Sequence, residues 1–459
     1  PSVPDLSSAS DSGTADTDDL TNDTTPTLSG TSEAGIHVEL TSDEDGLVGT
    51  ASADGSGNWS ITTSALSEDD HSLTATAKDI AGNTSTASAA LVVTIDETSP
   101  AAPAIPDLAT ASDTGNDSDN ITSDDTPTIN GTAEADTSIE LLSGSTSLGT
   151  TTADVSGNWS ITTGALAETV HNLTATSTDA AGNQSTASST LAVTIDTTAP
   201  AAPTAPDLSA ASDSGTADDD DLTNDTTPTV SGTAEAGSTV TLSSSIDGTV
   251  GTATADGTTG IWTITASTLV DGTHDLTATA TDAAGNTGAE STGLSVTIDA
   301  TAPAVPSTPD LASSSDSGSS STDDLTSDST PTLIGTADTG STITLLVDGA
   351  SVATSSPLAS DVYDITATTL ADGVHSLTTT STDVAGNTSA ASAALDITVD
   401  STAPVITVTS LDTDDATPAL DGTVDDTTAT ISVSVGGQTH AATNNGDGTW
   451  SLADDTLAP

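Results

Sequence analysis

An internal repeat of about 100 residues constrains the fold of this chain more than any other feature. One eight-residue word occurs four times, as TAKDIAGN (76–83), TSTDAAGN (176–183), TATDAAGN (279–286) and TSTDVAGN (380–387). An aromatic residue and a histidine keep the same spacing: Trp59, Trp159, Trp262 and Tyr363; His71, His171, His274 and His375. A period of this length is too long for a solenoid and indicates a tandem array of independent domains.

The repeat predicts four complete units and one incomplete unit. Each unit opens with a Pro-rich stretch and closes with an apolar run that ends in Asp, at Asp96, Asp196, Asp299 and Asp400. The predicted units are residues 1–99, 100–200, 201–302, 303–402 and 403–459. The fifth is of a shorter subtype, with TPALDGT (417–423) and GDGTWSL (446–452), and stops before the segment that would carry its own AGN word.

Alternation of apolar and polar residues predicts strands in each unit. In the first unit the strand-like runs are roughly 5–10, 26–32, 36–42, 47–53, 58–63, 71–78 and 88–95. Period-two alternation buries one face of a strand and leaves the other in water. Seven short strands in about 100 residues predict an all-β, seven-stranded Ig-like β-sandwich per unit, with the Trp in the core. The expected architecture is a tandem array of such domains in an extended rod.

The charge balance excludes several classes of partner. The chain has 68 acidic residues and one basic residue, Lys78, for a formal net charge of -67. Binding to nucleic acid through phosphates requires Lys and Arg, and so does docking on anionic lipid. No apolar run reaches the roughly 18 residues that span a membrane, and no signal peptide is visible. With no Cys the chain has no disulfide or thiolate chemistry, and with no Met at position 1 we expect an internal or processed piece.

Strand direction predicts where the acids of each unit gather. The AGN loop (residues 79–83, 179–183, 282–286 and 383–387) follows the sixth strand, and strands that alternate in direction place it at the N-terminal end of its unit. The acid of the turn between the second and third strands belongs to the same end: Glu33, Glu134, Glu235 and Asp338. The closing Asp of the preceding unit arrives there through a short linker. Three convergent sets are therefore predicted: Asp96, Glu134, Asp179 and Asn183; Asp196, Glu235, Asp282 and Asn286; Asp299, Asp338, Asp383 and Asn387. Asp400 and Asp425 are the corresponding acids of the last boundary.

These sets predict Ca²⁺ at the unit boundaries. Carboxylate, amide and carbonyl oxygens are the ligands that Ca²⁺ prefers at six- to eight-fold coordination. Without a cation, such a set would hold like charges close together with only water to screen them. The alternative is that Asp, Asn, Gly and Ser act here only as turn formers on a solvated surface.

A second group of acids lies in the acidic loop of each unit (residues 11–23, 113–125, 213–225 and 316–328), between the first two predicted strands. Acids there alternate with Gly and Ser, which permits a tight wrap around a cation, although the spacing is not that of an EF-hand. The predicted ligands are Asp11, Asp18, Asp113, Asp119, Asp213, Asp220, Asp316 and Asp323. A merely halophilic surface remains an alternative.

Taken together, four repeated motifs resemble the bacterial Ig-like repeats of giant type I-secreted adhesins, including Bap-like and repeats-in-toxin adhesins. The motifs are DSGxxxDDxTNDxTPTxSGTAEAG, GNWSITT, DGTHxLTATATDAAGN and LxVTID. The resemblance covers residues 1–402, and 403–459 with the shorter subtype. It implies an extracellular, cell-surface spacer with Ca²⁺ at its domain junctions that projects a distal adhesive tip. The fourth unit departs from the pattern, with Asp338 for Glu and SDVYDIT (360–366) for GNWSITT.

Other functions find less support. We expect no enzyme, because no nucleophile elbow or phosphate loop is present and each His stands without Cys or a second His. The His is expected to be a partly buried strand-edge residue. One open alternative is a self-associating filament or matrix protein, in which other copies of the chain are partners. Another is a set of spacer domains from a secreted polysaccharide-degrading enzyme.

Overall fold

The computed structural model describes residues 1–13, 15, 17–317, 320, 322–356, 358–454 and 456. Residues 455 and 457–459, near the C-terminal end of the predicted unit 403–459, lie outside this set. The described residues form strands, turns and bends, without a helix, so none of their segments is a helix able to cross a membrane. The all-β prediction is confirmed.

The four predicted complete units, residues 1–99, 100–200, 201–302 and 303–402, are called repeats 1 to 4. Repeat 1 contains eight strands in two sheets. They are β1 (Asp5–Leu6), β2 (Leu20–Thr21), β3 (Thr27–Thr31), β4 (His37–Ser42), β5 (Gly46–Ser52), β6 (Asn58–Thr62), β7 (Asp69–Lys78) and β8 (Leu91–Ile95). One sheet has three strands in the order β1-β3-β6, and the other has five in the order β2-β8-β7-β4-β5. Two such sheets packed face to face form an Ig-like sandwich.

The other repeats have strands of closely similar length in the same chain order. Repeat 2 has β9 (Asp107–Leu108), β10 (Ile121–Thr122), β11 (Thr128–Thr132), β12 (Ser138–Ser143), β13 (Thr146–Thr152), β14 (Asn158–Thr162), β15 (Val170–Thr178) and β16 (Leu191–Ile195). Repeat 3 has β17 (Asp207–Leu208), β18 (Leu222–Thr223), β19 (Thr229–Thr233), β20 (Thr239–Ser244), β21 (Gly248–Thr254), β22 (Ile261–Thr265), β23 (Gly272–Thr281) and β24 (Leu294–Ile298). Repeat 4 has β25 (Asp310–Leu311), β26 (Leu325–Thr326), β27 (Thr332–Thr336), β28 (Thr342–Val347), β29 (Ala350–Thr354), β30 (Val362–Thr366), β31 (Gly373–Thr382) and β32 (Leu395–Val399). Repeats 2 and 4 form the same two sheets as repeat 1.

The C-terminal region contains a smaller sheet. Its strands are β33 (Leu420–Thr423), β34 (Ile431–Val435), β35 (Gln438–Asn444) and β36 (Thr449–Leu452), in the order β33-β36-β35-β34. Trp450 is 1 % exposed and donates its indole N–H to the carbonyl of Thr407 at 2.8 Å. The described part of this region therefore repeats the strand-and-Trp pattern on a smaller scale.

Contacts between Cα atoms divide the chain into two compact units. One comprises residues 1–207, 230–266 and 275–294, and the other comprises residues 208–229, 267–274 and 295–459. The first contains all of repeats 1 and 2. The second contains all of repeat 4 and the C-terminal sheet.

The sequence prediction missed one strand per repeat. The residue pair Leu20–Thr21 lies inside the acidic loop and pairs in parallel with β8, with Leu20 opposite Thr94 and Thr21 opposite Ile95. Two residues are too few to show alternation, so this strand is invisible to pattern analysis. Its effect is to anchor the acidic loop to the closing strand of the repeat. The direction of the other strands is as predicted.

The core of each repeat is small and depends on one aromatic ring. In repeat 1 it contains Trp59, Leu28, Leu40 and Leu73, all at most 3 % exposed, and burying one such side chain contributes about 1.5–3 kcal/mol. A Cβ at Gly30 would lie 2.4 Å from the Trp59 ring, and so the lack of a side chain at Gly30 makes room for the indole. The Trp rings of repeats 1 to 3 and Tyr363 are buried, as predicted.

The repeated His is partly buried, as expected, in repeats 2 and 4 (His171 and His375) and more deeply buried than expected in repeats 1 and 3. His71 and His274 are fully buried, and the Nε2–H of His71 donates to the carbonyl of Ser67 at 2.7 Å. In repeat 4, His375 lies 2.9 Å from the carboxylate of Asp348, which raises the pKa of the imidazole. These bonds tie the start of the long sixth predicted strand to the preceding loop, which is a structural role.

Candidate metal centre at the repeat boundaries

The AGN loop closes on itself through its Asp and its Asn. In repeat 2 the Oδ1 atom of Asp179 accepts the backbone N–H of Asn183 at 2.8 Å, and its Oδ2 atom accepts the Asn183 side-chain amide at 3.0 Å. Gly182, between them, has a φ of 95°, which favours glycine. The word Asp–X–Ala–Gly–Asn therefore specifies a self-closed turn. In repeat 1 the same bond from the Asn83 amide lowers the pKa of Asp79.

The Asn of each later AGN loop also contacts the preceding repeat. The side-chain amide of Asn183 donates to the backbone carbonyl of Asp96 at 2.7 Å. Asn286 makes the same bond to Asp196 at 2.8 Å, and Asn387 makes it to Asp299 at 2.7 Å. The structure thus brings the closing Asp of one repeat to the AGN loop of the next in three places, through the main-chain oxygen of that Asp.

The acidic loop of each preceding repeat covers the same AGN loop. Hydroxyl groups donate to carbonyl oxygens in three equivalent bonds: Ser12 to Ala181 at 2.7 Å, Thr114 to Ala284 at 2.5 Å and Ser214 to Ala385 at 2.9 Å. The next residue in each acidic loop is a glycine in contact with the AGN backbone. A Cβ at Gly13 would lie 1.8 Å from the Ala180 oxygen, and one at Gly115 would lie 2.2 Å from the Ala283 oxygen.

The acid of the turn between the second and third predicted strands behaves differently from boundary to boundary. Glu134 and Glu235 are exposed, and their backbone carbonyls each accept a hydroxyl at 2.7 Å, from Thr137 and Ser238. In repeat 4 the Asp338 carboxylate accepts the N–H of Ala304 at 2.9 Å. Asp299, Asp338 and Asp383 together line one cleft of about 370 Å³. At this boundary the predicted acids share a cavity.

The predicted ligands of the acidic loops occupy two kinds of position. The first Asp of each loop is 7–8 % exposed, at Asp11, Asp113, Asp213 and Asp316. The second lies before the short extra strand, and its Oδ1 atom accepts the N–H two residues on: Asp18 from Leu20 at 3.2 Å, Asp119 from Ile121 at 3.0 Å, Asp220 from Leu222 at 3.1 Å and Asp323 from Leu325 at 3.4 Å.

At the last boundary each predicted acid makes a hydrogen bond within its own unit. The N–H of Asp400 donates to the carbonyl of Thr326 at 2.8 Å, and the Asp425 carboxylate accepts the N–H of Val405 at 2.7 Å. Among the residues that the structure describes, no three His, Asp or Glu side chains are placed so that they could hold a metal ion together. Oxygen donors without basic neighbours suit a hard cation, but ligation at any boundary requires the carboxylates to approach one another.

Family models match most of the chain in four successive segments. Residues 1–97, 99–197, 199–300 and 302–401 match the model described as "Bacterial Ig-like domain". This chain belongs to the bacterial Ig-like domain family. Residues 360–443 also match a second model, "Bacterial Ig-like domain (group 3)". The search of curated proteins found no match.

Solved structures similar to these bacterial Ig-like repeats include three that are described as parts of adhesion or biofilm proteins. A tetra-tandem repeat from the extending region of a large adhesion protein is 21 % identical, covers 87 % of this chain and 99 % of its own, and has a TM-score of 0.29. A structure described for host cell surface retention of a 1.5-MDa bacterial ice-binding adhesin is 22 % identical, with coverages of 64 % and 96 % and a TM-score of 0.25. The BSP domain of a biofilm associated protein is 13 % identical, with coverages of 88 % and 97 % and a TM-score of 0.17. These scores are too low to carry an argument about this chain.

The closing Asp of each bacterial Ig-like repeat turns its side chain toward its own linker. The Oδ1 atom of Asp96 accepts the N–H of Thr98 at 3.0 Å, and Asp299 does the same with Thr301 at 3.1 Å. An Asp that bonds the backbone two residues on forms an Asx turn. This local bond is the reason that the main-chain carbonyl of Asp96, and not its carboxylate, meets the next repeat.

Sequence reasoning missed a further acid that holds the linker of each repeat. The linker threonine donates its hydroxyl to it in every case: Thr98 to Glu68, Thr198 to Glu168 at 2.5 Å, Thr301 to Asp271 at 2.6 Å and Thr402 to Asp372 at 2.5 Å. Hydrogen bonds from Ser401 and Thr402 lower the pKa of Asp372 to about 2. The acid recurs at the repeat spacing, so the periodicity would have revealed it, but its partner thirty residues later could not be chosen from sequence alone.

Proposed function

We propose that this chain is a non-catalytic extender segment of a bacterial surface adhesin or biofilm protein. In this function, successive Ig-like repeats are held in fixed register, Ca²⁺ at the boundaries strengthens that register, and a distal region displayed by the array makes the adhesive contact. The location is extracellular, at the bacterial cell surface, and the secretion route is that of type I-secreted adhesins. Family membership and the resemblance of the repeat words to adhesin repeats support this proposal.

One observation carries the structural part of the proposal. The bond from the AGN-loop Asn to the carbonyl of the preceding closing Asp recurs at 2.7, 2.8 and 2.7 Å in Asn183, Asn286 and Asn387. A flexible string of domains would not need the same contact at each boundary. Repeated contacts between neighbours are what an extender requires, because they limit the bending of one repeat on the next.

The case for Ca²⁺ rests on charge. Sixty-eight acidic residues face a single basic one, so the chain cannot neutralise boundary acids such as Asp299, Asp338 and Asp383 from within. A divalent cation bound among them would remove their mutual repulsion and link consecutive repeats. The cation would act on structure alone, without a chemical step.

Small-angle scattering on the full chain tests the proposal. At about 2 mM Ca²⁺, above the dissociation constants of roughly 0.1–1 mM typical of extracellular Ca²⁺ modules, we expect a single, narrow distribution of dimensions and a raised melting temperature. After chelation we expect a broader distribution and a lower melting temperature. An unchanged profile and melting temperature would rule out Ca²⁺ stiffening. Dimensions that grow with protein concentration would favour the self-associating filament instead.

A further inference from the structure

A side-chain hydroxyl fills the same position in repeats 1, 3 and 4. Just before the first strand of these repeats, the hydroxyl oxygens of Ser2, Thr204 and Ser307 accept a backbone N–H at 2.9, 2.9 and 2.8 Å. The donors are the last residues of β3, β19 and β27: Thr31, Thr233 and Thr336. In these three repeats the entry segment therefore supplies an acceptor to the end of a strand in the small sheet.

Repeat 2 has an alanine at this position. The backbone N–H of Ala104 donates to the carbonyl of Thr132 at 2.9 Å, as Ser2 does to Thr31 at 2.8 Å, so the main chain follows the same path. The alanine side chain has no oxygen to offer the N–H of Thr132. A cleft of about 760 Å³ lies at this place, lined by Ala104, Thr132 and Trp159 among others. Its size is within the range of small-molecule sites.

Trp159 gives this cleft a buried donor. The residue is 4 % exposed, and its Nε1 atom has no hydrogen-bond partner among the residues that the structure describes. Gly131 also lines the cleft, and a Cβ there would lie 2.9 Å from Nε1. A buried donor without an acceptor costs free energy, because it has lost its water without replacement. An oxygen placed over Gly131 would remove this cost.

The C-terminal sheet shows where such an acceptor is placed. There the indole of Trp450 donates to the carbonyl oxygen of Thr407 at 2.8 Å. A Cβ at Gly422 would lie 1.9 Å from that oxygen and 2.5 Å from Nε1 of Trp450. The acceptor thus occupies the space that the glycine leaves open. In repeat 2 the three atoms nearest to the equivalent Cβ position, at Gly131, all belong to Trp159.

The indoles of repeats 1 and 3 also have no partner on Nε1, but the space beside them is occupied. A Cβ at Gly30 would lie 2.9 Å from the Ser2 hydroxyl, and one at Gly232 would lie 3.0 Å from the Thr204 hydroxyl. Each of these hydroxyls is already held by a backbone N–H. Repeat 2 differs from both because Ala104 leaves this place to a ligand.

The outer wall of the cleft carries polar groups in a row. Asn130 lies opposite Asp107 on one neighbouring strand and opposite Ser160 on the other, and all three residues are exposed. Ile105, which is 59 % exposed, adds an apolar surface. An amide, a hydroxyl and a carboxylate beside an aliphatic side chain suit a sugar, because its hydroxyls both donate and accept and its C–H groups pack on apolar atoms.

The charge of the cleft selects among such ligands. Asp107 and Asp154 are its charged lining residues, and the one basic residue of the chain, Lys78, is not part of the lining. An anionic ligand would meet two carboxylates without a cation between them, so it is repelled. Neutral sugars avoid this cost.

We propose that repeat 2 binds a neutral sugar in the cleft between residues 104–107 and the strands β11 and β14. One sugar oxygen takes the place of the missing hydroxyl and accepts the N–H of Thr132. A second oxygen lies over Gly131 and accepts the N–H of Trp159; because Nε1 is enclosed in the ligand-free chain, one wall of the cleft moves outward as it enters. Asn130 and Asp107 bond the outer hydroxyls. This function goes beyond the extender role and does not depend on Ca²⁺.

NMR spectroscopy of the full chain with ¹⁵N-labelled tryptophan tests the proposal, because four tryptophans give four indole N–H signals. The probes are glucose, galactose and N-acetylglucosamine, with glucuronate as the anionic counterpart of glucose. At least one neutral sugar should move one indole signal to saturation, and glucuronate should bind more weakly than glucose. If none of the neutral sugars moves an indole signal, solvent alone fills the cleft and the proposal is wrong. Equal binding of glucuronate would overturn the choice of ligand class.

Ala104→Ser places the binding within repeat 2. Serine occupies this position at Ser2 and Ser307, so the variant should fold, fill the space with its own hydroxyl and lose the response to sugar. It should also displace, without sugar, the same indole signal that the sugar moves. The matched control is Ala102→Ser, in the same linker but outside the cleft lining, which should keep the full response. A full response in Ala104→Ser, or equal losses in both variants, would overturn the proposed site.

Discussion

The AGN loops of repeats 1 and 2 have nearly the same sequence but different surroundings. In repeat 1, Ala81 and Asn83 are exposed, whereas in repeat 2 Ala181 is fully buried and Asn183 is 9 % exposed. Both loops make the same internal bonds between Asp and Asn. The turn is therefore a local property of the sequence, and its burial is supplied by the acidic loop of the preceding repeat.

The largest expected effect comes from preventing the acidic loop of repeat 1 from packing on the AGN loop of repeat 2. Gly13→Ala places a Cβ 1.8 Å from the Ala180 oxygen, so the two loops must separate. We expect a cost of roughly 2–4 kcal/mol from overpacking and left-handed strain together. Hydrogen exchange at the amides of Gly182 and Asn183 should accelerate.

Gly35→Ala is the matched control for this change. Gly35 also has a positive φ, of 74°, but a Cβ there has no atom within 4 Å. The Gly35→Ala variant should have the backbone strain of a positive φ without the steric clash, and hydrogen exchange in the AGN loop of repeat 2 should not change. Equal hydrogen exchange of the AGN-loop amides of repeat 2 in the two variants would contradict the packing of the acidic loop on that loop.

The next effect compares the two asparagines. Asn83→Ala removes bonds to Asp79 only, whereas Asn183→Ala also leaves the Asp96 carbonyl without its 2.7 Å donor. We expect local costs of about 0.5–1 kcal/mol for the first and about 1–2 kcal/mol for the second. Exchange of the linker amide of Thr98 should increase only in Asn183→Ala, and a similar increase in both variants would remove the distinction between the two loops.

A smaller difference is expected between Gly82→Ala and Gly182→Ala. The two glycines have φ values of 90° and 95°, so the backbone strain is nearly equal. A Cβ at Gly82 meets nothing within 4 Å, and one at Gly182 lies 3.1 Å from the backbone nitrogen of Gly13. The second variant should be less stable by a few tenths to about 1 kcal/mol, measured by exchange of the loop amides. A larger effect at Gly82 would contradict this reasoning.

The smallest expected effect is the pH dependence of the acidic loop in the metal-free chain. Burial and the facing acids Asp107, Asp117 and Asp119 raise the pKa of Asp113 in the folded state. A raised folded pKa means that this group stabilises the fold below its unfolded pKa of about 3.9 and that the contribution is lost as the pH rises through the folded value. Asp113→Asn should therefore reduce the fall in melting temperature above about pH 4. An identical pH profile in the variant would show that Asp113 does not titrate abnormally.

Much of the fold was predictable because alternation and periodicity are local. The strand around Trp59, predicted at 58–63, is β6 at Asn58–Thr62, and the run predicted at 36–42 is β4 at His37–Ser42. The first predicted strand, 5–10, is only Asp5–Leu6, because the chain turns at Ser7, whose carbonyl accepts the N–H groups of Ser10 and Asp11. Hydrophobic pattern cannot report such a turn, since it depends on main-chain bonds.

The candidate site was predicted by its residues but not by their bonding. Strand direction alone indicated that Asp96 would reach Asn183. The sequence could not show that the Asp96 carboxylate would bond Thr98, or that Glu168 would hold Thr198, because several acceptors compete for each donor and only distance decides among them. The Ca²⁺ assignments for both groups of acids remain predictions.

The sequence by itself determined the repeat length, the β character, the aromatic core and the self-closed AGN turn, because each depends on residues that are neighbours along the chain. The tertiary structure decided which oxygens are left without a donor. Burial of Asp113 beside Asp107 and Asp119 arises from the folding of the acidic loop against the strands, and only that packing turns an ordinary acidic loop into a charged pocket.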